Sequence, residues 1–169
     1  KLIHLLLKRK LIELEKKGKA NLISINFEDA SVDALSSAML YEKGKFLVKY
    51  PSLVLITREI EESLAGNFYI LLLFGSYAKE KSVNDSDIDL FFIIPRRQDI
   101  EAYKEKINKA LKLYPRIKKD FKLVSTEDFV DMLNQKYTVG RSVFQHGIVF
   151  FGTEHYYLMV KDYVRTKGY

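Results

Sequence analysis

The sequence predicts an α/β fold with a mixed sheet, and two observations carry that prediction. Residues 68–74 and 87–94 are short runs dense in Leu, Ile and Phe, as buried strands are. From residue 99 onward, segments of helical period alternate with further short apolar runs. A third observation sets the N-terminus apart. The first nineteen residues hold seven Lys/Arg against Glu13 and Glu15, a net of +5 in a chain whose total is +6.

Residues 1–10 are mostly Leu, Ile, Lys and Arg and read as the end of a helix. Ile12 and Leu14 then alternate with Glu13 and Glu15, the period of a half-buried strand. Residues 16–19, Lys-Lys-Gly-Lys, form a turn in which Gly18 supplies positive φ. Ile23, Ile25 and Phe27 alternate with Ser24 and Asn26 as a second strand. Helix, strand, basic turn and strand make the back half of a winged helix. One continuous helix up to Gly18 is the alternative, and the apolar–acidic alternation favours the hairpin.

Residues 31–65 read as two helices. Ser31 is the expected N-cap of the first, with Leu35, Met39, Leu40 and Phe46 on its apolar side. Pro51 suits the first turn of the second, which ends near Gly66. The rest is expected as strand 68–74, short helix 77–79, loop 80–86, strand 87–94, helix 99–114, strand 117–124, helix 126–135, helix 141–146, strand 148–151 and helix 154–166. The domain reading is a partial winged helix over 1–28, linking helices over 29–66 and a catalytic domain over 67–169. The chain opens at Lys1 inside an apolar-basic segment with neither Met nor a cap, so further residues are expected upstream.

Composition removes several function classes. With no cysteine there is no disulfide, zinc finger or thiol catalysis, which fits a reducing cytoplasm. Three His give little material for a histidine-rich metal site, and His4, His146 and His155 receive no role. The longest apolar run is too short to span a bilayer, so no membrane association is expected. The eleven Tyr and eleven Phe fall mostly on faces expected to be buried and read as core.

The chemistry concentrates in residues 71–94. A buried strand ends in Gly75-Ser76, and ten residues later Asp87-Ile88-Asp89 opens a second. Residues i and i+2 of a strand share a face, so the two carboxylates project together while Ile88 and Leu90 enter the core. Paired carboxylates repel, and hard oxygen ligands in that arrangement suit Mg²⁺ or Mn²⁺. Gly75 lets a phosphate approach the backbone, and backbone N–H groups with the Ser76 hydroxyl can hold it. A divalent ion beside a phosphate cradle equips a site for nucleotidyl transfer. Asp85 alternates in phase with Asp87 and forms a rival pair. The run Leu90-Phe91-Phe92 ranks Asp87/Asp89 first.

Gly-Ser, ten residues, then Asp-x-Asp between two apolar strands resembles the motif of the minimal nucleotidyltransferases of the DNA polymerase β superfamily. The resemblance covers about residues 68–152 and includes His146-Gly-Ile-Val-Phe-Phe-Gly152. Residues 11–65 resemble the wing and linking helices that precede such domains in archaeal-type fusions. It implies Asp87 and Asp89 as catalytic metal ligands, Gly75 and Ser76 as nucleotide-binding residues, and Lys79 as a phosphate ligand, with Lys81 nearby. Glu80 stands where such relatives frequently have glycine. It further implies Mg²⁺ or Mn²⁺, with ATP or another nucleoside triphosphate as donor. The acceptor is a hydroxyl, in antitoxin-type members one on a protein partner. A third carboxylate is expected on a later strand, and by the motif's phase it falls at Lys122. Asp120, two residues earlier on the same face, is its substitute, and Lys122 itself can neutralise a phosphate. The departure puts turnover in question more than binding.

Two competing readings accompany this one. In the first, Lys8, Arg9, Lys10, Lys16, Lys17 and Lys19 bind DNA, and the nucleotidyltransferase domain is a weakly active or nucleotide-sensing partner of the wing. In the second, the domain is a partner-binding module whose site has decayed.

Overall fold

A computed structural model of the protein describes residues 1–79 and 86–167. Glu80, Lys81 and the rival Asp85 lie outside the described residues. The chain divides into two compact units, Lys1–Met39 with Glu154–Tyr169, and Leu40–Thr153. No helix among the described residues is long and apolar enough to cross a membrane.

The first unit opens with α1 (Leu2–Lys8), which buries none of its residues. Lys10, at φ 56°, turns the chain into β1 (Ile12–Lys17). β1 pairs antiparallel with β2 (Ala20–Ile25) across Gly18, itself at φ 63°. Both strands are longer than expected, and the turn tightens to Gly18-Lys19. Ile12 faces Ile25 and Leu14 faces Ile23, so one side of the hairpin is apolar. Leu14, Ile23 and Ile25 nevertheless stay more than 40% exposed. α2 (Asp29–Lys49) begins two residues before the cap expected at Ser31. Ser31 therefore lies inside the helix, buried, with its hydroxyl unpartnered. α8 (Thr153–Lys167) buries Tyr156 and Val160.

In the second unit, α3 (Pro51–Ser63) starts at Pro51, where a missing N–H costs nothing. Its buried stripe is Leu53, Ile56, Thr57 and Ile60, the i, i+3, i+4, i+7 spacing of an amphipathic helix. Leu40, expected on an apolar face of α2, is 58% exposed. The sheet comprises β3 (Ile70–Phe74), β4 (Ile88–Ile94), β5 (Lys119–Ser125) and β6 (Ile148–Phe151), in the order β5-β4-β3-β6. β3 runs antiparallel to β4 and β6, and β4 runs parallel to β5. The parallel pair needs a crossover, which a 3-10 turn (Arg97–Asp99) and α5 (Ile100–Lys112) supply. α4 (Gly75–Ala78) follows β3, while α6 (Thr126–Asn134) and α7 (Val139–His146) follow β5.

Period-two alternation sorts the strands into two faces. Leu71, Leu73, Leu90, Phe92 and Ile94 join Leu53, Ile56 and Ile60 of α3 and Ile107 and Leu111 of α5 in one cluster. On the opposite face Phe91 meets Phe74 and Phe129 at ring distances of 6.0 and 5.9 Å, with Leu133 and Val143 also buried. Each buried side chain of this size contributes about 1.5–3 kcal/mol of transfer free energy. The buried strands β3 and β4 anchor the sheet, and β5 at its edge leaves Asp120 and Lys122 exposed.

Candidate active site

The site gathers at one end of the sheet, where β3 finishes and β4 and β5 begin. Phe74, the last residue of β3, pairs with Asp89 on β4, and Asp89 pairs in turn with Asp120 on β5. Pleating places paired neighbours on one face, so Asp89 and Asp120 share it with Phe74 and Phe91. Asp87 precedes the first residue of β4 and is exposed, whereas Asp89 is half-buried. The strand starts one residue later than expected, because Ile88 is the first to enter the core and its N–H donates to the Lys118 carbonyl at 3.0 Å.

Two further carboxylates therefore act on Asp89. Burial is the largest cause raising the Asp89 carboxyl above its ordinary value, followed by Asp120 and then Asp87, while Lys122 acts in the lowering direction. Repulsion of this kind is relieved when a cation joins the cluster.

Gly75 explains itself at this point. It sits at φ 72°, the left-handed region that glycine occupies without strain. A Cβ built on it would overlap the Asp89 carboxylate, lying 2.8 Å from its Cγ. The glycine is required where β3 turns into α4 so that the Asp89 side chain can lie against the turn. Ser76 follows, half-buried, and Lys79 caps α4, exposed, with its backbone N–H on the Gly75 carbonyl at 3.3 Å. Tyr77 packs on the core cluster and meets Tyr50 edge-on at 4.9 Å, which makes it a packing residue.

The register also places the two positions weighed for a third acid, Asp120 and Lys122. The parallel pairing sets Phe121 beside Leu90 and Leu123 beside Phe92, and that apolar match fixes the strands. It leaves Lys122 opposite Phe91, two pairs deeper into the sheet, and Asp120 opposite Asp89. Asp120 and Lys122 are both exposed, on the face of the two site aspartates.

Among the described residues no group of three or more His, Cys, Asp or Glu side chains forms a ready-made metal cage. Protein sites commonly hold Mg²⁺ through one or two carboxylates, with substrate phosphates completing the shell. The clustered Asp87 and Asp89 match that donor set.

The family model described as "Polymerase beta, Nucleotidyltransferase" matches residues 58–156, more than half of the chain. The chain belongs to that family. The matched stretch runs from the second half of α3 through the whole sheet to the start of α8, so the Gly75 turn and all three carboxylates fall inside it. One solved structure that it resembles is the crystal structure of the toxin-antitoxin with AMP-PNP. Identity is 18%, with 67% of this chain and 85% of that chain covered, at a TM-score of 0.42. No curated protein matches.

A feature that charge counting concealed lies next to the site. Residues 104–122 carry eight Lys/Arg against Glu105 and Asp120, a net of +6. Acids elsewhere in the chain cancel this stretch in the total, so only the N-terminal cluster stood out in the sequence.

Proposed function

We propose that the protein is a Mg²⁺- or Mn²⁺-dependent nucleotidyltransferase that moves a nucleoside monophosphate from a nucleoside triphosphate, ATP being the first candidate, to an acceptor hydroxyl. One observation carries the reading: the left-handed Gly75 turn lies against the Asp89 carboxylate, beside Asp87 and across the strand pair from Asp120.

In this reading Asp87 and Asp89 hold the divalent ion. When bound, that ion supplies Lewis-acid polarisation of the α-phosphate and charge neutralisation. The Gly75 backbone and the Ser76 hydroxyl hold the triphosphate, and Lys79 neutralises its outer phosphates. Asp120 orients the acceptor hydroxyl and takes its proton. Lys122 is placed to offset charge on the same face. The acceptor oxygen attacks the α-phosphorus in line, and pyrophosphate leaves.

The test is transfer of label from each α-labelled nucleoside triphosphate, with Mg²⁺ or Mn²⁺, to the protein, to host tRNA and to co-purifying partners. Asp87→Ala/Asp89→Ala should abolish transfer while the fold survives. Equal transfer by that variant would sink the assignment. Nucleotide binding without any transfer would favour a sensor, and no binding would mean a decayed site.

The hairpin motivates a second role alongside the first. Lys16, Lys17 and Lys19 surround the Gly18 turn and are exposed, as are Lys8, Arg9 and Lys10 at the end of α1. We infer a winged-helix remnant over residues 1–28 that contacts duplex DNA, joined by residues 29–66 to a catalytic domain over 67–169. Replacing the three hairpin lysines by Ala should reduce the slope of log affinity against log salt by about 0.9 per lost phosphate contact. An unchanged slope would remove the wing from the contact surface.

A further inference from the structure

The C-terminal half of α2 carries apolar side chains on two faces, and only one of them is covered. Phe46 is buried, and Leu47 packs against the same core cluster. On the other side Leu40, Tyr41 and Val48 are 58%, 70% and 85% exposed. Leu40, Gly44 and Val48 follow the i, i+4, i+8 row of a helix, and Tyr41 lies beside it, three residues before Gly44. A Cβ added to Gly44 would meet nothing within 4 Å, so the row has a hollow at its centre. A surface helix ordinarily confines its apolar residues to one stripe, as α5 does with Tyr103, Ile107, Ala110 and Leu111. Apolar residues on both faces belong to a helix that is covered on both.

The charges flanking the row are satisfied within the chain. The Lys45 ammonium donates to both Glu42 carboxylate oxygens at 3.1 Å and lies 5.8 Å from the Tyr41 ring centre. The Lys43 ammonium donates to the Phe150 carbonyl at 2.6 Å and sits 3.9 Å from Glu61. The row itself carries no charge, which favours an apolar partner over a polyanion. Because Glu42 and Lys45 neutralise each other, two identical faces can also meet without net repulsion.

We propose that Leu40, Tyr41, Gly44 and Val48 form the contact of a two-fold dimer. In it α2 packs antiparallel against α2 of a second copy, with the two Gly44 residues at the axis. Leu40 and Val48 stand four residues either side of Gly44, so antiparallel pairing sets Leu40 of each copy against Val48 of the other. That self-complementarity is what an isologous contact requires. The missing side chain at Gly44 lets the helices approach at the short end of the usual spacing of about 8–10 Å. The exposed apolar patch is on the order of a few hundred Å², the size that marks functional contacts on monomers. It falls short of the about 800 Å² per partner of a standard interface, so the dimer is a weak, concentration-dependent one. All four residues lie in the unit Leu40–Thr153 and none is in the candidate active site, so the inference stands apart from the nucleotidyltransferase reading.

The experiment is sedimentation equilibrium of the full chain from about 1 to about 200 μM, a range that brackets a micromolar dissociation constant. The average mass of the wild type should rise from 19.7 kDa toward twice that value. Gly44→Glu would bring two carboxylates together at the axis and should weaken association by at least about tenfold. Its thermal transition should not fall, because Glu is a better helix former than Gly and the site is open. A second variant does not depend on that result. The chain has no cysteine, so Gly44→Cys places a single thiol on the axis, and mild oxidation should yield a covalent dimer. Leu113→Cys, also exposed but on α5's far end, should not cross-link. A wild type that stays monomeric throughout would give the face to another occupant and overturn the proposal. So would a dimer that survives Gly44→Glu, which would use another surface, or equal cross-linking by the two thiol variants, which would report random collision.

Discussion

The two ends of the β4/β5 pair use aspartate in opposite ways. At the exit end, Asp128 accepts from Arg97 and from Ser125 and closes a capping box on α6, which lowers its pKa. At the mouth, Asp89 faces burial and two further carboxylates, and its pKa is raised. The first acid is fully employed in holding a helix. The second is held in a place that costs folding free energy and that a cation would stabilise. Strain of that sign marks a site more reliably than the mere presence of acids.

The sharpest way to break this comparison is to exchange the roles. Asp87→Ala/Asp89→Ala should eliminate label transfer while leaving the thermal transition intact. Asp128→Ala should keep transfer and lower the transition. If Asp128→Ala removed activity as completely, the distinction between the ends would fail. Gly75→Ala comes next in size. The added methyl meets the far end of a flexible side chain, so the fold can yield, but only by moving the Asp89 carboxylate. Strain from the positive φ should cost about 1 kcal/mol. Affinity for Mg²⁺-nucleotide should fall by more than about tenfold, well beyond what that strain explains. A variant with normal affinity would show that Asp89 need not lie against the turn.

Much of this was legible in the sequence because periodicity is a strong signal. The strands at 70–74 and 88–94 and the position of Asp89 at a strand mouth follow from two short apolar runs, one closed by Gly75 and the other opened by Asp87-Ile88-Asp89. The register of β4 against β5 was not legible, since pairing depends on contacts between residues about thirty apart. The motif's phase points to Lys122 with Asp120 as its substitute, and only the pairing shows that Asp120 is the residue opposite Asp89. Ser31 misled as a cap because the helix already starts at Asp29, and a serine in a first turn reads the same from sequence. The true cap of α6, Ser125, was passed over because it ends a strand. The basic surface beside Asp120 was hidden by summation, as net charge over a long stretch erases a local excess.

The capping box offers a smaller test of the exit end. Ser125 is buried, accepts from the Asp128 N–H at 3.1 Å and donates to its carboxylate at 2.7 Å. Ser125→Ala should cost about 1 kcal/mol in urea unfolding and leave transfer unaffected. A change in transfer of more than about twofold at that modest cost would mean that the two ends communicate, and the contrast between them would need redrawing.

The smallest effect sharpens the comparison most, because it depends on sign. The folded Asp89 holds its proton more tightly than the unfolded chain does. Its destabilising contribution therefore appears as pH rises from the ordinary value of 3.8 through the raised folded value, and persists above it. Asp128 behaves in reverse: its stabilising contribution is present above 3.8 and is lost as pH falls through its lowered folded value. Without divalent ions, Asp89→Asn should thus be more stable than the wild type at pH 7, and Asp128→Asn less stable. Both differences should shrink on acidification, the Asp89 one as pH drops to 3.8 and the Asp128 one only below it. The Asp128 effect should be the smaller, since its ion pair with Arg97 is largely solvent-screened. Adding Mg²⁺ should stabilise the wild type and leave Asp89→Asn nearly unmoved, reversing their order at pH 7. A pH-independent loss of stability in Asp89→Asn would place Asp89 among the structural acids and leave the mouth of the strands without its distinguishing property.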